Sequence, residues 1–215
     1  MRLGAGILSV SRYPAGLFYL AFTEAWERFS FYGTKALLIL YMIEYLFVDG
    51  RGGNVIGLDA LRRGAEALLG PISDQAFASQ LFGLYAGLVY FTPIFGGLLG
   101  DRLLGQRRTV LLGAVMMAAG HLLMAWETAF VIALLLLVIG CGCLKGNISA
   151  QVGSLYAAGD PRRTDGFALF TIGINTGAFL APILCGALAK LYGWHVGFGA
   201  AALGMAIGGA IYVAG

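Results

Sequence analysis

The sequence predicts an all-α integral membrane protein, a bundle of six transmembrane helices. Three observations predict it. Of the 215 residues 59% are hydrophobic and only 12% charged, about half the charge of an ordinary soluble domain. Six apolar runs approach the roughly 20 residues that a helix needs to cross a bilayer. Arginine is concentrated in the short connections between the runs, where it fixes orientation.

The first run, residues 16–46, is longer than one crossing requires and should tilt or protrude. It is also too long and too charged for the apolar core of a cleavable signal peptide. A long loop from Val48 to Gln75 follows, in which Leu58, Leu61, Leu68 and Leu69 keep a weak apolar pattern that fits a short surface helix. The other spans fall at 76–100, 109–126, 130–156, 166–191 and 195–215. Arg2 and Arg12 precede the first span, Arg102, Arg107 and Arg108 join the second to the third, and Arg162 and Arg163 join the fourth to the fifth. Arg51, Arg62, Arg63 and Lys190 lie on the opposite side. This bias puts both chain ends in the cytoplasm. Glycines four apart, at Gly83 and Gly87, Gly96 and Gly100, and Gly173 and Gly177, predict close helix contacts in lipid.

Several function classes drop out. A formal net charge of +3 is too small and dispersed for nucleic-acid binding. Cys141, Cys143 and Cys185 lie in apolar runs without zinc-site spacing and read as buried, reduced thiols, so no metal or other cofactor is expected. No nucleophile–base pair points to an enzyme, and no filter-like loop interrupts a helix as in a channel.

Ionisable residues inside the apolar runs are the informative exception. In the first run Glu24, Glu27, Arg28, Tyr32 and Lys35 fall on one helix side at about 100° per residue. Charges there are costly, so they should face the protein interior or a watery path. Two acids beside two bases fit proton exchange next to an anion site. In the fourth run Lys145, within Gly140-Cys141-Gly142-Cys143-Leu144-Lys145-Gly146-Asn147, lies about fifteen residues in, too deep to snorkel to an interface. In the fifth, Asn175 needs a partner, either another helix or a ligand. At the end of the second span, Gly97, Gly100, Asp101, Arg102, Gly105, Arg107 and Arg108 make a spaced loop motif. Topology explains the arginines; Asp101 can cap a helix start or pair with a base.

The loop motif resembles that of the major facilitator superfamily. Together with Glu-x-x-Glu-Arg-Phe in the first helix, Lys-x-Asn in the fourth and Ile-Asn-x-Gly in the fifth, it resembles the proton-dependent oligopeptide transporter family from about Arg12 onward. The resemblance implies the N-terminal half of a two-half transporter, with a C-terminal six-helix half expected to complete the cavity. It implies alternating-access symport of di- and tripeptides with protons across the cytoplasmic (inner) membrane. Glu24, Glu27, Arg28 and Lys145 then form the proton-coupling set. Arg28, Tyr32, Lys35, Tyr90, Lys145 and Asn175 contact the peptide, and the Asp101 loop gates the cytoplasmic side. The chain departs from the family at Phe31, usually tyrosine, which removes a hydroxyl from the pocket. Lys35 replaces an arginine and cannot bind a carboxylate at two points. Gly146 replaces a frequent proline, so the fourth helix should be less kinked. The alternatives are a major facilitator for nitrate, an amino acid or a drug, and a non-transporting membrane assembly module.

Overall fold

The computed structural model describes residues 13–215; Arg2 and Arg12, counted above in the charge bias, lie outside the described residues. No strand occurs among the described residues. Helix α1 (Ala15–Tyr41) continues through a π turn, Met42–Leu46, and then bends by 107° into a short 3-10 segment, Val48–Asn54. Within that segment Asp49 and Gly50 take positive φ. The loop beyond contains helix α2 (Leu58–Leu69). Helices α3 (Asp74–Phe91) and α4 (Pro93–Leu99) run on as one rod that ends in a π turn at Gly100–Leu104. Then come α5 (Gln106–Leu123), α6 (Phe130–Ser154), α7 (Arg162–Tyr192) and α8 (Trp194–Ala214).

Counting α3 and α4 as one rod, the described residues form six long helices in a multi-pass membrane bundle. Residues 74–104, 127–154, 162–192 and 194–214 are long and apolar enough to cross a membrane, and the bent first helix makes a fifth such span. Helix α5 is the exception. It starts at Gln106 because Gly105, at φ 79°, turns the chain and its carbonyl accepts both the amide and the hydroxyl of Thr109. Arg107 and Arg108 therefore sit inside the helix and shorten its apolar part.

Helix α1 lies between α7 and α8, while α6 packs on α5 and α4. The start of α1, Arg107, the end of α6 and the end of α8 gather around one small cavity at one end of the bundle. At the other end Ile56 bonds to Thr128, and the His195 ring bonds to the Met124 carbonyl. The connections bearing Arg107 and Arg162 thus share a face of the bundle with the start of the first helix.

Two of the three glycine pairs mark backbone contact. A Cβ on Gly96 would lie 2.5 Å from the carbonyl carbon of Gly142, and one on Gly173 would lie 2.9 Å from the Ala21 oxygen. Gly100 meets the Asn147 amide, and Gly177 meets Ala25. Gly83 and Gly87 differ from the expectation, since a Cβ on either meets nothing within 4 Å. The spacing is the same, but no helix among the described residues packs on that face of α3. Gly96→Ala should therefore destabilise the protein by about 1–3 kcal/mol through overpacking. Gly83→Ala should be neutral or stabilising by up to about 1 kcal/mol through helix propensity. Melting of the two variants in detergent checks this, and equal losses would contradict it.

Candidate functional site

Two adjacent turns of α1 carry the charged cluster. Glu24, Glu27 and Arg28 are 2%, 0% and 3% exposed. Arg28 Nε lies 3.3 Å from Glu24 Oε1 and donates to Glu27 Oε2. The remaining Glu24 oxygen is buried without a hydrogen-bond partner. Two carboxyl groups thus share one guanidinium, and with both ionised the cluster carries an excess negative charge. Breaking such a pair by removing one member costs about 3–5 kcal/mol, because it strands a buried charge.

Helix α6 meets this cluster from the side. The Cys141 thiol donates to Glu27 Oε1 at 3.5 Å and accepts from Arg28 Nη2 at 3.8 Å. One turn on, the Lys145 ammonium lies 4.3 Å above the ring of Tyr90 on α3. Among the described residues Lys145 forms no ion pair within 4.0 Å, although its charge reaches Glu24. Lys145 of the expected coupling set therefore acts on the acids through its charge rather than by contact. Tyr90 itself is exposed, so the Lys145–Tyr90 pair stands at an open face of the bundle.

Lys35 sits at the far end of the stripe, its ammonium between the rings of Phe31, Tyr32 and Phe82 at 5.8–5.9 Å. Phe31 differs from its expected role. Its ring is buried, lies 5.3 Å from the Arg28 guanidinium, and stacks on Tyr85 at 6.4 Å. It separates the two cations by cation–π contact instead of lining a pocket. Asn175 is exposed on α7 and touches none of these residues.

The neighbouring asparagine is structural. Asn147 Nδ2 donates to the carbonyls of Gly96 at 2.9 Å and Cys143 at 2.8 Å, tying α6 to α4. Helix α6 runs unbroken through Gly146. In the loop motif, Asp101 accepts from Gln106 Nε2 at 3.4 Å instead of pairing with an arginine. Gly97, Arg102, Arg107 and Arg108 add no partner to it among the described residues, and the three arginines are exposed.

The family profile described as PTR2, POT family, matches residues 107–215. The chain belongs to the POT family. The peptide transporter YePEPT of Yersinia enterocolitica subsp. palearctica is 40% identical over 200 residues, 91% of this chain and 35% of that protein. A di-/tripeptide transporter of Lactococcus lactis subsp. lactis is 39% identical over 195 residues, 89% of this chain and 36% of that protein. A solved peptide transporter POT in complex with sulfate superposes with a TM-score of 0.80 at 39% identity, covering 97% of this chain and 39% of that one. The POT chain described here therefore spans little more than a third of these relatives. Its family is one of transporters and not of enzymes.

Three residues of this POT chain carry polar contacts that its sequence did not flag. Cys141 precedes Lys145 by four and so shares its helix face. Tyr85, buried on α3, sits within electrostatic reach of Glu27, Arg28 and Cys141. His121 on α5 contacts Ser30 through Nε2 and Thr34 through Nδ1, the latter at 3.2 Å. Ser30 and Thr34 are four apart on α1, so one imidazole bridges two adjacent turns. The signal was present as a lone histidine in an apolar run opposite two hydroxyls at helical spacing.

Proposed function

We propose that this chain is the N-terminal six-helix half of a proton-coupled symporter of di- and tripeptides, working by alternating access. The observation that carries it is the sharing of Arg28 by two buried carboxylates, with Lys145 and Lys35 poised over aromatic rings nearby. The excess negative charge can be balanced by a proton or by a cation that moves closer. Such a cluster stores either a proton or an ion pair, which is what coupling requires. A peptide is a zwitterion; its carboxylate calls for the fixed cations, and its backbone calls for Tyr32, Tyr90 and Asn175. The peptide-transporter names of the relatives support the substrate class. Glu24, Glu27, Arg28 and Lys145 form the coupling set. Arg28, Tyr32, Lys35, Tyr90, Lys145 and Asn175 form the peptide-facing wall. The loop from Gly97 to Arg108 serves the cytoplasmic gate, and a second six-helix half completes the cavity.

In this reading the protein resides in the cytoplasmic membrane, protons are its coupling ion, and both ends of this half face the cytoplasm. Cells expressing the full-length transporter should accumulate labelled dipeptide at acid pH, competed by tripeptide and not by free amino acid. A cysteine introduced at Gln106 should be labelled only from the inside, against a background kept low by three buried native thiols. Competition by nitrate or free amino acid would overturn the substrate class, and outside labelling would overturn the orientation.

A further inference from the structure

Cys141 occupies a junction built by its two neighbours. Gly140 turns to α5, where an added Cβ would lie 2.7 Å from Met117 Cγ and 2.8 Å from the Gly113 oxygen. Gly142 turns to the break between α3 and α4, where a Cβ would lie 2.6 Å from Thr92 Cβ. The Thr92 hydroxyl also donates to the Val138 carbonyl at 3.0 Å, which fixes this stretch of α6 further. With both flanks clamped, Cys141 is the side chain between them that α6 sends to α1, and it is 1% exposed. Glu27 then has one oxygen on Arg28 and the other on the thiol.

Resting on the transport reading above, we propose that Cys141 is a positioning residue for the Glu27–Arg28 pair. Its thiol holds the pair against α6 while Glu27 is charged and releases it when Glu27 takes up a proton. An S–H group is a weak donor, and its sulfur is a weak acceptor. Donation to a carboxylate favours the charged form. A neutral Glu27 accepts from the thiol more weakly than a carboxylate does, which loosens the polar link between α6 and the pair. A hydroxyl in the same place would hold the carboxylate more firmly.

The other groups that can act on this pair are few. Glu24 on α1, Tyr85 on α3 and Lys145 on α6 reach the cluster through their charge or polarity. His121 on α5 is engaged by Ser30 and Thr34. Helices α7 and α8 bring Gly177, Gly204 and Gly208 against Ala25, Trp26, Phe29, Thr23 and the Glu27 backbone, and add no titratable side chain there.

The test uses the full-length transporter in proteoliposomes, with Cys141→Ala and Cys141→Ser read as pH profiles of proton-driven dipeptide uptake beside counterflow exchange. Cys141→Ala should move the uptake midpoint to higher pH by about half a unit, the equivalent of one weak hydrogen bond. Cys141→Ser should move it to lower pH, and both should keep counterflow. A packing role alone would depress uptake and counterflow at every pH without moving the midpoint, and that result, or shifts of the same sign in both variants, overturns the proposal. Should the parent accumulate no dipeptide, the transport reading fails separately. Difference infrared titration of the carboxyl stretch in the purified protein, assigned with Glu27→Gln, then decides the role of the thiol. An identical titration in Cys141→Ala and parent overturns it.

Discussion

Glu27→Gln in the full-length transporter abolishes uphill, proton-driven dipeptide uptake and leaves counterflow exchange in place. Glutamine matches the shape of the carboxylate and can still accept from Arg28, so the helix contacts survive. It cannot take up a proton, and it removes the excess negative charge from the cluster. Arg28 then keeps Glu24, 3.3 Å away, as its one carboxylate partner. The sign of the pH effect follows: uptake by the parent rises as pH falls, whereas the variant shows a flat profile near background. Glu24→Gln should give the same split, because its unpartnered oxygen is the other place where a proton can reside. Measurement of accumulation and exchange in the same vesicles checks both variants. Normal gradient-driven accumulation in either one removes that residue from the coupling set.

Lys145→Ala weakens dipeptide binding by about ten- to a hundredfold, the cost of a charge-assisted hydrogen bond to the peptide carboxylate. The ammonium is available for that contact because an aromatic ring, rather than an acid, holds it in the structure. A cation over a ring gives up about 0.5–2 kcal/mol when it leaves, less than a buried ion pair would. The same charge acts on Glu24 from a distance, so its loss should also alter the pH dependence of transport. Affinities for dipeptides with free and amidated C-termini, taken across pH, separate the two effects. A variant that still discriminates between the termini and keeps the parental pH profile has lost no carboxylate contact at Lys145.

Much of the architecture was legible because a bilayer imposes a length on every crossing, and charges stand out against apolar runs. Glu24, Glu27, Arg28 and Lys145 were visible for that reason. The start of α5 was not, since Gly105 caps the helix ahead of two arginines that look like loop residues. Gly83 and Gly87 have no contact among the described residues, because spacing records a smooth face and not what packs on it. Cys141 and His121 were hidden among residues of similar hydropathy. Their polar roles depend on which side chains face them across helix boundaries, and one strand of sequence does not carry that information. Phe31 was visible only as a missing hydroxyl; the position of its ring between two cations depends on the fold.

The rod formed by α3 and α4 is held very differently on either side of Thr92 and Pro93. Beyond the proline, Gly96 and Gly100 press its backbone against α6, and Asn147 is bonded across the seam. Before it, Phe77, Leu81, Tyr85 and Val89 pack through side chains, and the opposite face carries two bare glycines. Small residues let the backbones approach closely over the last turns, which side-chain packing over the first turns does not. The element therefore has the mechanics of a cantilever, anchored over its last turns and compliant over its first. Lys145 rests on Tyr90, just before the anchor, where a small change of angle at the proline becomes a sideways stroke farther along the arm.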